Sequence, residues 1–248
     1  MKHKKYIGWT IAGIIFLFLL WELAARLYNS SLILPGPIPV FLRFIALITT
    51  PRFLISLRES FFRVLLGITI AVPAGIIAGI ATGLDKRVNA FFSPLFSVIS
   101  ATPVISVILI AFLVLGSGNT PVFSAFLMIF PVMATNVAFG IKSTDSRLKE
   151  LFFIFKMNRK ETLRFLYLPS LLPFILGGLS ASLSLCWKVV VAAEVIVQPM
   201  NSLGLGMSRA RTNLETPELF AWTAATVIAA ASTQGILSLI LKTAGKKK

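Results

Sequence analysis

Between residues 88 and 141 the chain carries no charged side chain at all. Such a run is too long for one membrane crossing and suits two of roughly 20 residues each. The stretch GSGNTP, residues 116–121, is the natural turn between them, since glycine, asparagine and proline punctuate helices. The whole chain agrees: 56% of its residues are hydrophobic, 13% are charged, and the mean hydropathy is +0.88. Ordinary soluble domains carry about 25% charged residues. The expected fold is therefore all-α and integral to a membrane.

The remaining spans follow from the same test. MKHKK and the apolar run after it resemble a signal peptide, but no small-residue cleavage site follows, and Glu22-Leu-Ala-Ala prolongs the helix. A retained first span is expected. The stretch LILPGPIPV holds three prolines in five residues, which opposes a regular helix and marks a non-spanning linker, with an interfacial helix over 40–48. A second span contains Gly75, Gly79 and Gly83 at four-residue spacing, a face that another helix can approach closely, and Pro73 is expected to kink it. Asp85-Lys86-Arg87 ends it. The third span is expected to bend at Pro94 or Pro103. The six spans cover about 6–27, 56–84, 91–115, 121–141, 170–197 and 219–241, with a loop over 201–218 before the last.

Six spans put both chain ends on one side of the membrane. If that side is the cytoplasm, 16 basic residues lie there, 7 lie opposite, and Lys188 lies within a span. Lys and Arg concentrate in cytoplasmic loops, so the ends face the cytoplasm. Five arginines from Arg26 to Arg63 run against this bias, and some of them are expected at helix ends. The net charge of +15 is explained by the same rule and needs no nucleic acid. One cysteine, Cys186, and one histidine, His3, leave no internal disulfide and nothing from which to build a metal centre. No G-x-x-x-x-G-K-S/T stretch occurs, so the chain does not hydrolyse ATP by that route.

One segment breaks the oily pattern. DSRLKELFFIFKMNRKETLRFLYLPSLLP interleaves basic and apolar residues, the mark of short amphipathic helices at a membrane surface. Asp145 is placed to cap the first. Asn158, with Glu161 three residues on, forms the pattern of a capping box that starts the second. Pro169 and Pro173 mark where the next span begins. A helix–turn–helix of this kind, residues 145–168, protrudes as a handle for a soluble partner.

The segment resembles the cytoplasmic loop of ABC-importer permeases, whose pattern is Glu-Ala-Ala, a Gly shortly after, and a Leu-Pro beyond. With Leu168-Pro169 on that Leu-Pro, the Glu falls on Glu150, the Ala pair on Leu151 and Phe152, and the Gly on Lys156. Asn158, which tolerates left-handed geometry, is expected to make the turn that the Gly makes. Elsewhere LPGPIPV, SLRESFFRVLLGITIAVPAGIIAGIATGL, SLCWKVVVAAEVI and GLGMSRAR resemble, in order, parts of the nitrate, sulfonate, taurine and thiamine-precursor branch of that family.

This resemblance implies a multi-pass permease of the inner membrane, set in lipid and working with a second permease copy. It implies two cytoplasmic ATP-binding subunits, with ATP and Mg held there and no cofactor on this chain, and an extracytoplasmic solute-binding protein. The solute would be a small anion such as nitrate or a sulfonate, or a heteroaromatic vitamin precursor. Coupling to the ATPase would fall to Glu150, Lys156 and Asn158, with Leu151, Phe152, Phe155 and Leu163 seated in a partner groove and Pro169 closing the motif. The pathway would follow span five, past Trp187, Lys188 and Glu194.

Lys188 and Glu194 are ionisable residues within a span, where an ionised side chain costs about 2.5–3.5 kcal/mol on insertion scales. They point about 240° apart at ~100° per residue, so each needs a partner elsewhere. Two roles stay open for each: Glu194 packs spans together or lines the pathway, and Lys188 snorkels or meets a solute. Trp187 is either packing or a ligand platform. Gly204 and Gly206 read as turn geometry near the outer mouth. A carrier or channel that needs no ATP is the rival reading, and a membrane scaffold a third. An ion-coupled carrier would call for several intramembrane carboxylates, and Glu194 stands nearly alone. A scaffold has no need of so many prolines within spans.

Overall fold

The computed structural model describes residues 7–245; the start of the expected first span and the basic tails at 2–5 and 246–248 lie outside them. Every regular element among the described residues is a helix. They are α1 (Ile7–Tyr28), α2 (Pro37–Ile48), α3 (Pro51–Leu84), α4 (Lys86–Ala101), α5 (Val104–Lys142), α6 (Ser146–Ile154) and α7 (Arg159–Glu161). A π-helical segment (Thr162–Tyr167) follows, then α8 (Leu168–Val197), α9 (Leu203–Thr212) and α10 (Thr216–Gly245).

The centre of the molecule is α3, α5 and α8. The glycine face expected on α3 packs against α5 in strict parallel order. Gly67 faces Ala125, Gly75 faces Met133, Gly79 faces Val137 and Gly83 faces Ile141. A methyl group at Gly79 would lie 2.6 Å from both the Ala134 carbonyl oxygen and Val137 Cβ, so the small residues are what permit this approach. Helix α8 runs the other way, with Leu171 and Phe174 beside Gly140 and Gly178 beside Met133.

Five helices among the described residues are long and apolar enough to cross a membrane, and the expected third span is not one of them. It is built from two pieces. Lys142 donates to Asn89 at 3.1 Å at the inner end, Phe96 meets Phe130 edge-on at 5.6 Å midway, and Ile108 packs on Ala193 and Val197 at the outer end. The chain therefore climbs from α4 into the first part of α5, broken at Thr102-Pro103, while Pro94 stays inside α4. A proline cannot donate the helical hydrogen bond and clashes with the preceding turn, so the break falls there. The return is made at Gly116, whose φ of +69° only glycine adopts freely, inside the expected turn.

The outer helices fit the same frame. Trp21, near the end of α1, donates to the Pro35 carbonyl at 3.0 Å and stacks on Phe220. Thr233 and Gln234 of α10 meet Trp187 and Ser180 of α8. The described start of α1, the described end of α10 and the segment between α5 and α8 thus share one face, and α2 and α9 lie at the other.

Three expectations about local structure need correction. Pro37 and Pro39 do not exclude a helix; they open α2, where the first-turn N–H groups have no partner to lose. The loop expected over 201–218 contains α9, capped by Ser202, whose hydroxyl accepts from Leu205 N at 3.0 Å. Span five does not begin afresh at 170: helical backbone is continuous from Arg159 to Val197 through the π segment. The wider π turn just ahead of Pro169 accommodates its missing N–H.

The arginines that ran against the charge bias are mostly engaged. Arg26 pairs with Glu22 at 2.6 Å, Arg58 with Glu59 at 2.8 Å, Arg63 with Glu194 at 2.9 Å, and Arg43 with Glu215 and Glu218.

Candidate functional site: an exposed handle and a groove beside Lys188

The handle is fixed at both ends by its own side chains. Asp145 accepts from Arg147 N at 2.9 Å and starts α6. Asn158 and Glu161 form a reciprocal capping box, Glu161 N to Asn158 Oδ1 and Asn158 N to Glu161 Oε2, both at 2.9 Å. Between them the chain reverses at Lys156, whose φ is +51°. The left-handed residue is thus Lys156, where the resemblance puts a Gly, and not Asn158, whose side chain is taken up by capping. Met157 N donating to Phe152 O and Lys156 N donating to Phe153 O close the turn.

Nothing on α6 is buried. Glu150, Leu151, Phe155, Lys156 and Asn158 are exposed, Phe152 and Leu163 are half-buried, and Pro169 is exposed in the first turn of α8. The most exposed aromatic of the tip, Phe153 at 84%, and its neighbour Ile154 at 74% were not singled out from the sequence. The signal was available: five consecutive apolar residues, LFFIF, cannot share one face of a helix that turns about 100° per residue.

At the other end of the continuous run, Lys188 and Glu194 occupy opposite sides of α8. Glu194 is fully buried. It accepts from Arg63 Nη1 at 2.9 Å, from Ser60 Oγ at 2.8 Å and from Gly204 N at 3.2 Å. Ser60 Oγ also accepts from Leu203 N at 3.0 Å, and Arg63 Nη2 donates to Met200 O at 3.2 Å. The partners come from α3 and from the start of α9 in the same chain, so no second copy is needed to satisfy the charge. Gly204 and Gly206 lie inside α9, not in a turn. An added methyl would fall 2.4 Å from Glu194 Cβ at the first and 2.4 Å from the Trp222 ring at the second. Close approach, not a left-handed turn, is what these glycines supply.

Lys188 is exposed and has no ion-pair partner among the described residues. It lines a groove of about 580 Å³ between α8, α9 and α10, with Ser184, Val191, Met207, Thr226 and Gln234. Trp187 is buried and donates from Nε1 to Thr233 Oγ1 at 2.9 Å, tying α8 to α10 while one edge reaches the groove. Lys188 sits about 14 Å along the helix from Val197, at ~1.5 Å per residue. A cation at such depth faces protein or water, not lipid tails.

Residues 71–244 match the family described as the binding-protein-dependent transport system inner membrane component. Among curated proteins, the chain is 27% identical to SsuC of Bacillus subtilis (strain 168), a permease protein named for aliphatic sulfonates transport, over 88% of this chain and 80% of that protein. It is 28% identical to the bicarbonate transport system permease protein CmpB of Synechococcus elongatus, over 78% and 73%. It is 27% identical to the formylaminopyrimidine transport permease protein ThiX of Halalkalibacterium halodurans, over 83% and 82%.

Proposed function

The chain belongs to the binding-protein-dependent transport system inner membrane components, and we propose that it forms the translocation pathway of an ATP-driven importer for a small nutrient. In this reading two copies assemble with two cytoplasmic ATP-binding subunits, which hold ATP and Mg. An extracytoplasmic binding protein delivers the solute, a small anion or a heteroaromatic vitamin precursor, as the relatives' names suggest.

One observation carries the proposal: the exposed handle is continuous with the helix that lines the groove. Capped at Asp145 and Asn158, and reversed at Lys156, it presents Leu151, Phe153, Ile154 and Phe155 to solvent on the face shared by the described start of α1 and the described end of α10. From Arg159 the backbone runs as one helical rod past Trp187 and Lys188 to Glu194. Closure of the ATPases on their nucleotide would push the handle, and the rod would transmit that displacement to the groove, opening it to one side at a time.

The test is assembly. Purified with its ATPase, the chain should elute as a complex with two copies of each subunit. Glu150→Lys or Phe152→Asp should release the ATPase, while the permease remains folded by its thermal transition. ATPase retention in both variants would refute the handle.

A further inference from the structure

Away from the groove, a second concavity of about 380 Å³ opens where α2, the start of α3, α9 and the start of α10 meet, on the face opposite the handle. Arg43, Arg52, Arg209 and Asn213 stand in its wall, and Leu47 and the buried Trp222 lie at its base. The three arginines differ in how they are used. Arg43 is committed: Nε donates to Glu218 at 3.1 Å and Nη2 to Glu215 at 3.3 Å. The indole of Trp222 donates to the second oxygen of Glu218 at 3.2 Å. These contacts occupy the two carboxylates that line the cavity. The guanidinium groups of Arg52 and Arg209 have no hydrogen-bond or ion-pair partner among the described residues.

Two unpaired guanidinium groups at one cavity leave it net positive even after both carboxylates are counted. A concave wall over a buried apolar floor concentrates that field. Each guanidinium offers a rigid fork of donors matched to two oxygens of a planar or tetrahedral oxyanion. Asn213 adds an amide, and the Leu47–Trp222 base gives a short apolar group somewhere to lie. The volume falls at the small end of the range for ligand sites, about 300–1,000 Å³.

We propose that Arg52, Arg209 and Asn213 form a binding site for a small free oxyanion, a sulfonate or carboxylate with a short apolar tail, separate from the groove beside Lys188. That the site faces arriving solute rests on the orientation proposed above; the binding itself does not, so the two can fail independently.

The experiment uses the full chain alone in nanodiscs of zwitterionic lipid, with ³⁵S-labelled methanesulfonate as probe in equilibrium binding. Saturable binding of one probe per chain is expected, weakening as salt rises. Arg52→Gln and Arg209→Gln should each weaken it about tenfold or more, the loss expected for a charge-assisted hydrogen bond. Arg211→Gln, exposed on the same helix but outside the cavity, should leave it unchanged. Unaltered thermal transitions in the Arg variants would show that folding is intact. Three results would overturn the site. One is no saturable binding. Another is loss in Lys188→Ala with retention in both Arg variants, which puts the probe in the groove. The third is an effect of the Arg variants only on capture of the binding protein, which makes the arginines a protein-docking contact.

Discussion

Arg63 and Glu194 form an ion pair across 2.9 Å between the outer ends of α3 and α8, with Glu194 fully buried and the Arg63 side chain 13% exposed. Ser60 and Gly204 N occupy the remaining carboxylate lone pairs, and Arg63 reaches on to the backbone at Met200. Three elements, α3, α8 and α9, are thereby held as one body. Met207 of α9 lines the groove beside Lys188, so the clasp also sets one wall of that groove.

Removing one side of a buried pair leaves the other uncompensated, which typically costs about 3–5 kcal/mol. Glu194→Leu should therefore lower the thermal transition of the permease in nanodiscs more than the double variant Arg63→Met/Glu194→Leu does. Gly204→Ala should act in the same direction by forcing α9 away from Glu194 Cβ. If single and double variants melt alike, the pair contributes no net coupling and α9 is held by apolar packing alone.

A lysine at φ +51° is strained, since a left-handed conformation costs a non-glycine residue about 1–2 kcal/mol. Lys156→Gly should relieve that strain and slow amide exchange over 146–157. Asn158→Ala removes the cap and should speed exchange over 158–164 by an amount equivalent to about 1 kcal/mol. Faster exchange of the handle in Lys156→Gly would mean that the chain entropy of glycine outweighs the strain.

Topology can be read by labelling single cysteines introduced into a Cys186→Ser background. Cysteines at Ser146 and Lys247 should react only from the cytoplasm, and one at Asn119 only from outside. Asn119 follows the turn at Gly116, where the upward and downward pieces of α5 meet. Labelling of Ser146 from outside intact cells would invert the molecule and place the handle on the wrong side for an ATPase.

What the sequence disclosed, and what it hid, divides by range. The α3 glycine face, the Asp145 cap and the Asn158–Glu161 box were legible because each is a matter of spacing within a few residues. The partners of Glu194 were not, because Ser60 and Arg63 lie more than a hundred positions away and only folding brings them to α8. The two glycines of α9 were recognised as special but misassigned. Their requirement is set by Glu194 and Trp222 pressing from outside, which spacing does not encode. The left-handed residue was credited to Asn158 because asparagine tolerates that conformation better than lysine. The capping box overrode the preference by taking up the side chain and backbone N–H of Asn158 at the helix start.

Lys188 is the remaining discriminator for transport. Its position beside Trp187, in a groove bordered by Ser184, Thr226 and Gln234, gives an anion a cation in a cleft with a polar rim. Lys188→Ala should slow uptake while leaving assembly and basal ATP hydrolysis in place, because neither the handle nor the clasp touches this side chain. Lys188→Arg keeps the charge and should retain more transport than Lys188→Ala for an anionic solute, but not for a neutral one. Uptake at the unmodified rate in Lys188→Ala would return the residue to snorkelling along α8. Loss of uptake together with assembly would make it a contact to the second copy instead.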